Sequence, residues 1–96
     1  MKIWQTLTVL RHHYPLNDKV TLLIEALEND EQGEWSYSEE DGHVIKISPK
    51  LPEDMRDEVL VHEYAHAICS YLPCHLSDCC WGVCYGELYK LIFGDH

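Results

Sequence analysis

Basic residues and long apolar runs are scarce in this chain of 96 residues. Seven Lys and Arg stand against 17 Asp and Glu, and the formal net charge is -10 at pH 7. Because the phosphates of a nucleic acid would repel such a surface, this charge argues against nucleic-acid binding. No run of about 18 apolar residues occurs, so we expect no transmembrane helix and no membrane partner. The opening residues 1–15 also lack the apolar core of a signal peptide, which predicts a cytoplasmic protein.

Cysteine pairs with the spacing of small zinc modules are also missing. The cysteines are crowded into the last third of the chain, and none of them forms a Cys-x-x-Cys pair. Their odd number and the missing secretory signal favour free thiols over disulfide bonds. A structural zinc ion bound by thiolates near His75 is therefore an alternative that no standard spacing supports. The cysteines are Cys69, Cys74, Cys79, Cys80 and Cys84.

The chain does contain enough apolar surface for one core. Apolar residues make up 46% of the sequence and aromatic residues 10%, which is typical of a folded globule. A length of 96 residues predicts one domain, residues 1–96, with a thin core that a metal ion would help to stabilise. Eight of the acidic residues lie in Glu25–Asp41, which is typical of a solvated loop surface.

The periodicity of the apolar residues predicts an α+β fold. Apolar residues repeat at helical spacing from Ile3 to Leu10. Lys19–Leu27 is rich in Val, Leu and Ile, and in His43–Ser48 the side chains alternate with a period of two. The two shorter strand candidates are joined by Glu39–Gly42, a hairpin-type turn. We expect an N-terminal helix, a small antiparallel sheet of about three strands, a central helix and a C-terminal helix. The expected elements are a helix at 2–13, strands at Lys19–Leu27, Glu34–Ser38 and His43–Ser48, and helices at 52–71 and Cys79–Phe93.

The central helix carries the motif His62-Glu63-x-x-His66. Its start is marked by Pro52, which suits the first helical turn, and by Glu53, which favours the positive end of the helix dipole. Histidines four residues apart lie on one helix face, so both imidazoles can point at one metal ion. The flanking residues are apolar, and polar groups in such a stretch are costly unless they are paired or metal-bound.

The carboxylate of Glu63 has a separate role in this motif. It approaches the metal-bound water without binding the metal and acts as the general base. Zinc lowers the pKa of that water to about 7, so Glu63 can remove a proton at neutral pH. The resulting hydroxide attacks a polarised carbonyl. The motif therefore predicts peptide-bond hydrolysis that depends on one Zn²⁺ ion.

These residues resemble the HExxH zincins, in particular the small SprT-like and minigluzincin-like domains of phage and prophage genomes. The resemblance covers most of the chain, through MKIWQTLTVLRHHYP, VIKISPKLPEDMRDEVLVHEYAHAI and WGVCYGELYKLIFG. It implies a zincin-like metallopeptidase with a backing helix, a small antiparallel sheet whose edge strand borders the cleft, and an active-site helix. A further helix would follow the third zinc ligand. A phage-encoded member would act in the cytoplasm of the bacterial host.

The third zinc ligand is the open part of the predicted site. A catalytic zinc ion needs three protein ligands, and the motif supplies two histidines. In the resembling family a histidine usually precedes the Trp-Gly pair of the last helix by a few residues, and Ser77 stands there instead. His75 is the predicted third ligand because imidazole is the commonest metal ligand. Asp78 and Glu87 are the main alternatives.

We therefore expect a zinc metallopeptidase in which His62, His66 and His75 bind the metal and Glu63 is the catalytic base. The expected substrate is a peptide or an unfolded protein, because a domain of this size has room for only a shallow cleft. The strand His43–Ser48 is expected to be the edge that holds an extended peptide by strand addition. The alternative is a non-enzymatic, metal-stabilised phage accessory or binding protein whose zinc site is structural or decayed.

Two tyrosines of the helices are expected to have structural roles. Tyr64 lies inside the motif but on the helix face opposite the metal, which predicts a core residue. Tyr85 is expected to pack, although its hydroxyl would also suit an oxyanion in the cleft. His43 begins a strand beside a turn, and no chemistry is assigned to it.

Overall fold

The computed structural model describes residues 2–71 and 77–94, and for residues 77–80 it describes the backbone only. In these residues, three α-helices and a three-stranded sheet form a small α+β fold in the predicted element order. A short 3₁₀ turn at Glu28–Asp30 connects the first two strands. The elements are α1 (Ile3–His13), β1 (Val20–Ile24), β2 (Gly33–Ser38), β3 (Gly42–Ile47), α2 (Glu53–Cys69) and α3 (Ser77–Phe93).

The sheet is mixed, which corrects the expectation of an antiparallel sheet. β1 pairs with β3 in parallel, and β2 pairs with β3 in the antiparallel direction, so the strand order is β1-β3-β2. The expectation that His43–Ser48 forms an edge strand is therefore wrong, because β3 is the central strand. The physical reason is the path of the chain after β1: the segment that includes the 3₁₀ turn carries it to β2, which is the opposite edge of the sheet. β3 then returns between the other two strands, where His43, Ile45 and Ile47 are fully buried.

The hairpin between β2 and β3 depends on one glycine. Gly42 has a φ of 70°, and a Cβ at this position would collide with the backbone carbonyl oxygen of Lys19. Glycine adopts this left-handed conformation without a steric penalty. The backbone N–H of Asp41 donates to the hydroxyl of Ser38 and tightens the same turn. The predicted hairpin is confirmed, and its register sets His43 opposite Tyr37.

The core lies between one face of the sheet and the helices. Each fully buried Leu or Ile contributes about 1.5–3 kcal/mol relative to an exposed one. Tyr64 is also fully buried, and its O–H donates to the carbonyl of Tyr14 at 2.6 Å, which confirms Tyr64 as a core residue. The largest fully buried apolar side chains include Leu10, Ile45, Ile47, Leu60 and Leu88.

Polar contacts set the position of α2. The hydroxyl of Thr6 on α1 donates to the carboxylate of Asp57 at 2.7 Å, and both residues are buried. At the start of α2, Arg56 donates to the carbonyls of Leu51 and Pro49. These bonds fix the helix against α1 and against the loop that leaves β3. α2 begins at Glu53, one residue later than predicted.

α3 packs against α2 and also contacts α1. Cys69 on α2 and Cys84 on α3 are free and partly buried, as expected for thiols that pack like small apolar groups. Burial and a hydrogen bond with Cys84 raise the pKa of Cys69 to about 11. α3 begins at Ser77, two residues before the predicted start. Within residues 2–71 and 77–94, no helix has the length and apolar character needed to cross a membrane.

Candidate metal centre

α2 brings His62, Glu63 and His66 into one group. The spacing of four residues turns both imidazoles to the same helix face, and their ring centroids lie 5.1 Å apart at an angle of 71°. One ligand atom from each of the three residues lies within 4.8 Å of the other two. Two imidazoles and a carboxylate suit a zinc ion by their chemistry. The three residues of the motif therefore form a group that can hold a metal ion.

Glu63 is the most buried member of the group. The residue is 8% exposed, and its Oε2 lies 4.0 Å from Nε2 of His62. Burial raises the pKa of Glu63 to about 7, and the negative charges of Glu31 and Glu34 act in the same direction. A carboxyl group with this pKa exchanges its proton near neutral pH, which is the property a general base needs.

His66 is held in the form that binds metals. Burial lowers the pKa of its imidazole, and the charge of His62 acts in the same direction. Both effects favour the neutral ring, and only a neutral imidazole has a lone pair for a metal ion. The metal-free site is thus prepared for a cation without first losing a proton from His66 at neutral pH.

Aromatic side chains from two other elements border both histidines. The ring of Trp35 on β2 lies nearly parallel to that of His66, with centroids 6.3 Å apart and an angle of 18°. Trp81 on α3 has its centroid 4.8 Å from His62 and 5.4 Å from His66. Tyr85 stacks on Trp81 at 4.9 Å and lies 5.9 Å from His62. These rings lie beside the imidazoles, while 45% of the His62 side chain stays exposed.

A glycine lets β2 approach the site closely. A Cβ built on Gly33 would lie 2.5 Å from Cγ1 of Val59 and 3.3 Å from Oε2 of Glu63. Gly33 is the first residue of β2. The absent side chain makes the room in which the carboxylate of Glu63 lies.

A cleft of about 520 Å³ opens beside the motif. The 3₁₀ turn and the start of β2 form one wall, while α2 and Tyr85 form the other. Tyr85 therefore lines the cleft in addition to packing against the core. Among the described residues that line it, the Asp, Glu, Lys and Arg side chains are all acidic: Asp30, Glu31, Glu58 and Glu63. The carboxylates of Asp30, Glu31 and Glu58 would attract a cation into the cleft.

The predicted third ligand, His75, lies outside the described residues, and so does Cys74. The backbone of Asp78 and Cys79 belongs to the first turn of α3, but their side chains are not described. Glu87 is exposed on α3 and lies outside the group formed by the motif. Within the described part of the chain, the site thus contains two imidazoles and one carboxylate.

His43 has a role that the sequence did not indicate. The residue is fully buried, and both of its ring nitrogens have hydrogen-bond partners: Trp35 Nε1 at 3.1 Å and the Tyr71 hydroxyl at 2.6 Å. One signal was present, because His43 alternates with Ile45 and Ile47 on the apolar face of β3. A histidine on such a face needs partners for its nitrogens. The pattern did not indicate which residues these would be.

No protein-family model, curated protein or solved structure matches the chain. The resemblance to zincins therefore depends on the motif and on the segments quoted above, and membership of that family stays a hypothesis.

Proposed function

We propose that the protein is a zinc-dependent metallopeptidase that hydrolyses peptide bonds in flexible or unfolded polypeptides. The observation that carries the proposal is the group formed by His62, Glu63 and His66 beside an open cleft. In the described residues, none of the three pairs with a Lys or Arg side chain, so their lone pairs are available.

The roles follow from burial and position. His62 and His66 would hold the ion together with His75 as the proposed third ligand. When bound, zinc would polarise the carbonyl of the scissile bond and lower the pKa of a water molecule. Glu63 would accept the proton from water in the cleft and return it to the leaving amine.

The edge of β2 is the proposed binding site for the substrate backbone. The sequence suggested strand addition at His43–Ser48, but that strand is central, and β2 has β3 as its one hydrogen-bonded neighbour in the described sheet. β2 also starts at the wall of the cleft, at Gly33. An extended peptide that pairs with an exposed strand gains backbone hydrogen bonds that do not depend on its sequence. A shallow cleft with a strand edge supports a preference for unfolded segments.

The sharpest test compares Glu63→Gln with Glu40→Gln. Both substitutions remove one carboxylate, but Glu40 is an exposed residue of the hairpin turn. With an unfolded protein such as casein as substrate, Glu63→Gln should lower kcat/KM at least about 100-fold, since general bases contribute that much or more. Zinc content, measured by elemental analysis, should stay at one ion per chain in both variants. Chelation should abolish hydrolysis, and added Zn²⁺ should restore it.

Two outcomes would contradict the proposal. Equal hydrolysis by the wild-type protein and Glu63→Gln would show that Glu63 is not the base. Loss of the fold on chelation, without hydrolysis by the zinc-loaded protein, would instead support the non-enzymatic alternative with a structural metal site.

A further inference from the structure

A chain of hydrogen bonds connects the sheet to the end of α2. The indole N–H of Trp35 donates to Nδ1 of His43 at 3.1 Å. Nε2 of His43 lies 2.6 Å from the hydroxyl oxygen of Tyr71, and that hydroxyl lies 2.7 Å from Oδ2 of Asp18. The chain therefore runs from an indole through a fully buried imidazole to a carboxylate at the surface.

Only one tautomer of His43 satisfies all three bonds. Because Nδ1 accepts from Trp35, the proton of the neutral ring must be on Nε2. Nε2–H then donates to the oxygen of Tyr71, and Tyr71 uses its own proton to donate to Asp18. Every bond points the same way, towards the negative charge of Asp18.

The far end of this chain reaches the metal centre. Trp35 stacks on His66, with the two rings inclined by 18°. The hydrogen bond from Nε1 to His43 restrains rotation of the indole about its side-chain torsions. A restrained indole in turn restrains the imidazole that packs on it. Neither His43 nor Tyr71 belongs to the metal-ligating group.

We propose that Trp35 is a positioning residue, held by the Asp18–Tyr71–His43 chain, that keeps the imidazole of His66 in its metal-binding orientation. The metal-affinity part of this inference rests on the proposed function. Groups that orient a ligating histidine typically change metal affinity by about 10- to 100-fold when they are removed. Here the orienting contact is a stacked ring in place of the usual hydrogen bond to the second imidazole nitrogen.

A matched pair of tyrosines allows a sharp test. Tyr71 and Tyr37 are both exposed, both contact the His43 ring, and both donate to Oδ2 of Asp18. Only Tyr71 bonds to a nitrogen of His43. Tyr71→Phe should weaken zinc binding about 10-fold in competition with a chromophoric chelator, and Tyr37→Phe should leave it within twofold of wild type.

Trp35→Phe is the second variant. It keeps an aromatic ring over His66 but removes the N–H donor, so the affinity should fall in the same direction as in Tyr71→Phe. Urea unfolding of the metal-free proteins measures stability separately. A loss of stability with an unchanged zinc dissociation constant for both variants would overturn the proposal. Equal losses of affinity in Tyr71→Phe and Tyr37→Phe would also overturn it.

The metal-free protein provides a readout that does not depend on zinc. The ¹⁵N spectrum of the His43 ring should show the Nε2–H tautomer, and NOEs should connect the rings of Trp35 and His66. Tyr71→Phe should weaken these NOEs, whereas Tyr37→Phe should preserve them. Unchanged NOEs in Tyr71→Phe would refute the positioning role. A wild-type protein that binds no zinc would refute the proposed function, while these spectra still decide the positioning role.

Discussion

Glu63 and His43 are both buried, and burial moves their pKa values in opposite directions. The pKa of Glu63 is raised to about 7, whereas that of His43 is lowered, with the charge of Asp18 opposing the effect of burial. In both residues the neutral form is favoured, because the lost water no longer solvates the charge. The consequences differ. Glu63 becomes able to exchange a proton near neutral pH, and His43 becomes able to accept the indole N–H of Trp35.

The raised pKa of Glu63 predicts how the stability of the metal-free protein depends on pH. Between pH 4.5 and 7 the folded protein keeps a proton on Glu63 that the unfolded chain has released. The contribution of Glu63 to the free energy of unfolding is therefore greatest at low pH and is lost as the pH rises towards about 7. The full loss amounts to up to roughly 3 kcal/mol.

Glu63→Gln isolates this contribution because the amide does not titrate. Urea unfolding of both metal-free proteins should show the variant gaining stability relative to wild type as the pH rises from about 4.5 to 7.5. The other ionisable side chains are the same in both proteins, so their contributions largely cancel in the difference. A difference that stays constant over this range would contradict the raised pKa.

At the scale of elements, the site depends on how closely β2 approaches α2. Gly33 and Trp35 are two residues apart on β2 and contact the same helix. Alternate residues of a strand share a face, so one strand supplies both the space beside Glu63 and the ring on His66. The motif on α2 is local in sequence, but its surroundings come from β2 and α3.

Gly33→Ala should therefore destabilise the protein. The added Cβ would lie 2.5 Å from Cγ1 of Val59, and relieving such overpacking typically costs about 1–3 kcal/mol. Gly82→Ala is the matched control, because no atom outside its own helix turn and chain neighbours lies within 4 Å of a Cβ there. This control should be neutral or more stable by about 0.5–1 kcal/mol, since alanine favours the helix. Urea unfolding measures both, and equal stability of the two variants would contradict the close approach of β2 to α2.

At the scale of the whole molecule, an excess of negative charge is the property that bears on substrate choice. The formal net charge is -10. The described residues that line the cleft include Asp and Glu side chains but no Lys or Arg. Glu31 also acts on the pKa of Glu63 from across the cleft. A positive substrate side chain in the cleft would be attracted by these carboxylates.

We expect peptides with Lys or Arg beside the scissile bond to be hydrolysed with a higher kcat/KM than matched peptides with Asp or Glu. The difference should narrow as salt is raised, because the cleft is open and its charges are screened. Glu58→Gln and Glu31→Gln should reduce the preference, and Glu40→Gln in the distant hairpin turn should not. Hydrolysis without any charge preference at low salt would contradict an electrostatic role for the cleft.

Local patterns accounted for most of the fold. Helical periodicity and Pro52 located the helices to within two residues at the ends that the structure describes, and Glu39–Gly42 located the hairpin. The motif on α2 predicted the group of His62, Glu63 and His66 because two histidines four residues apart share a helix face whatever surrounds them. The direction of β1 relative to β3 and the strand order were predicted wrongly, since a period of two describes which face a residue occupies and says nothing about its neighbour strand.

The sequence by itself determined the element order, the hairpin, and the placement of His62 and His66 on one face of α2, because each follows from interactions within a few residues. Only the tertiary structure decided that β3 is central, that Gly33 gives Glu63 its space, and that Trp35 connects His66 to the buried ring of His43. These contacts join residues that lie 8 to 31 positions apart, as between Trp35 and His43 or Trp35 and His66. Such contacts depend on how the sheet and the helices pack, and no local repeat in the chain encodes that packing.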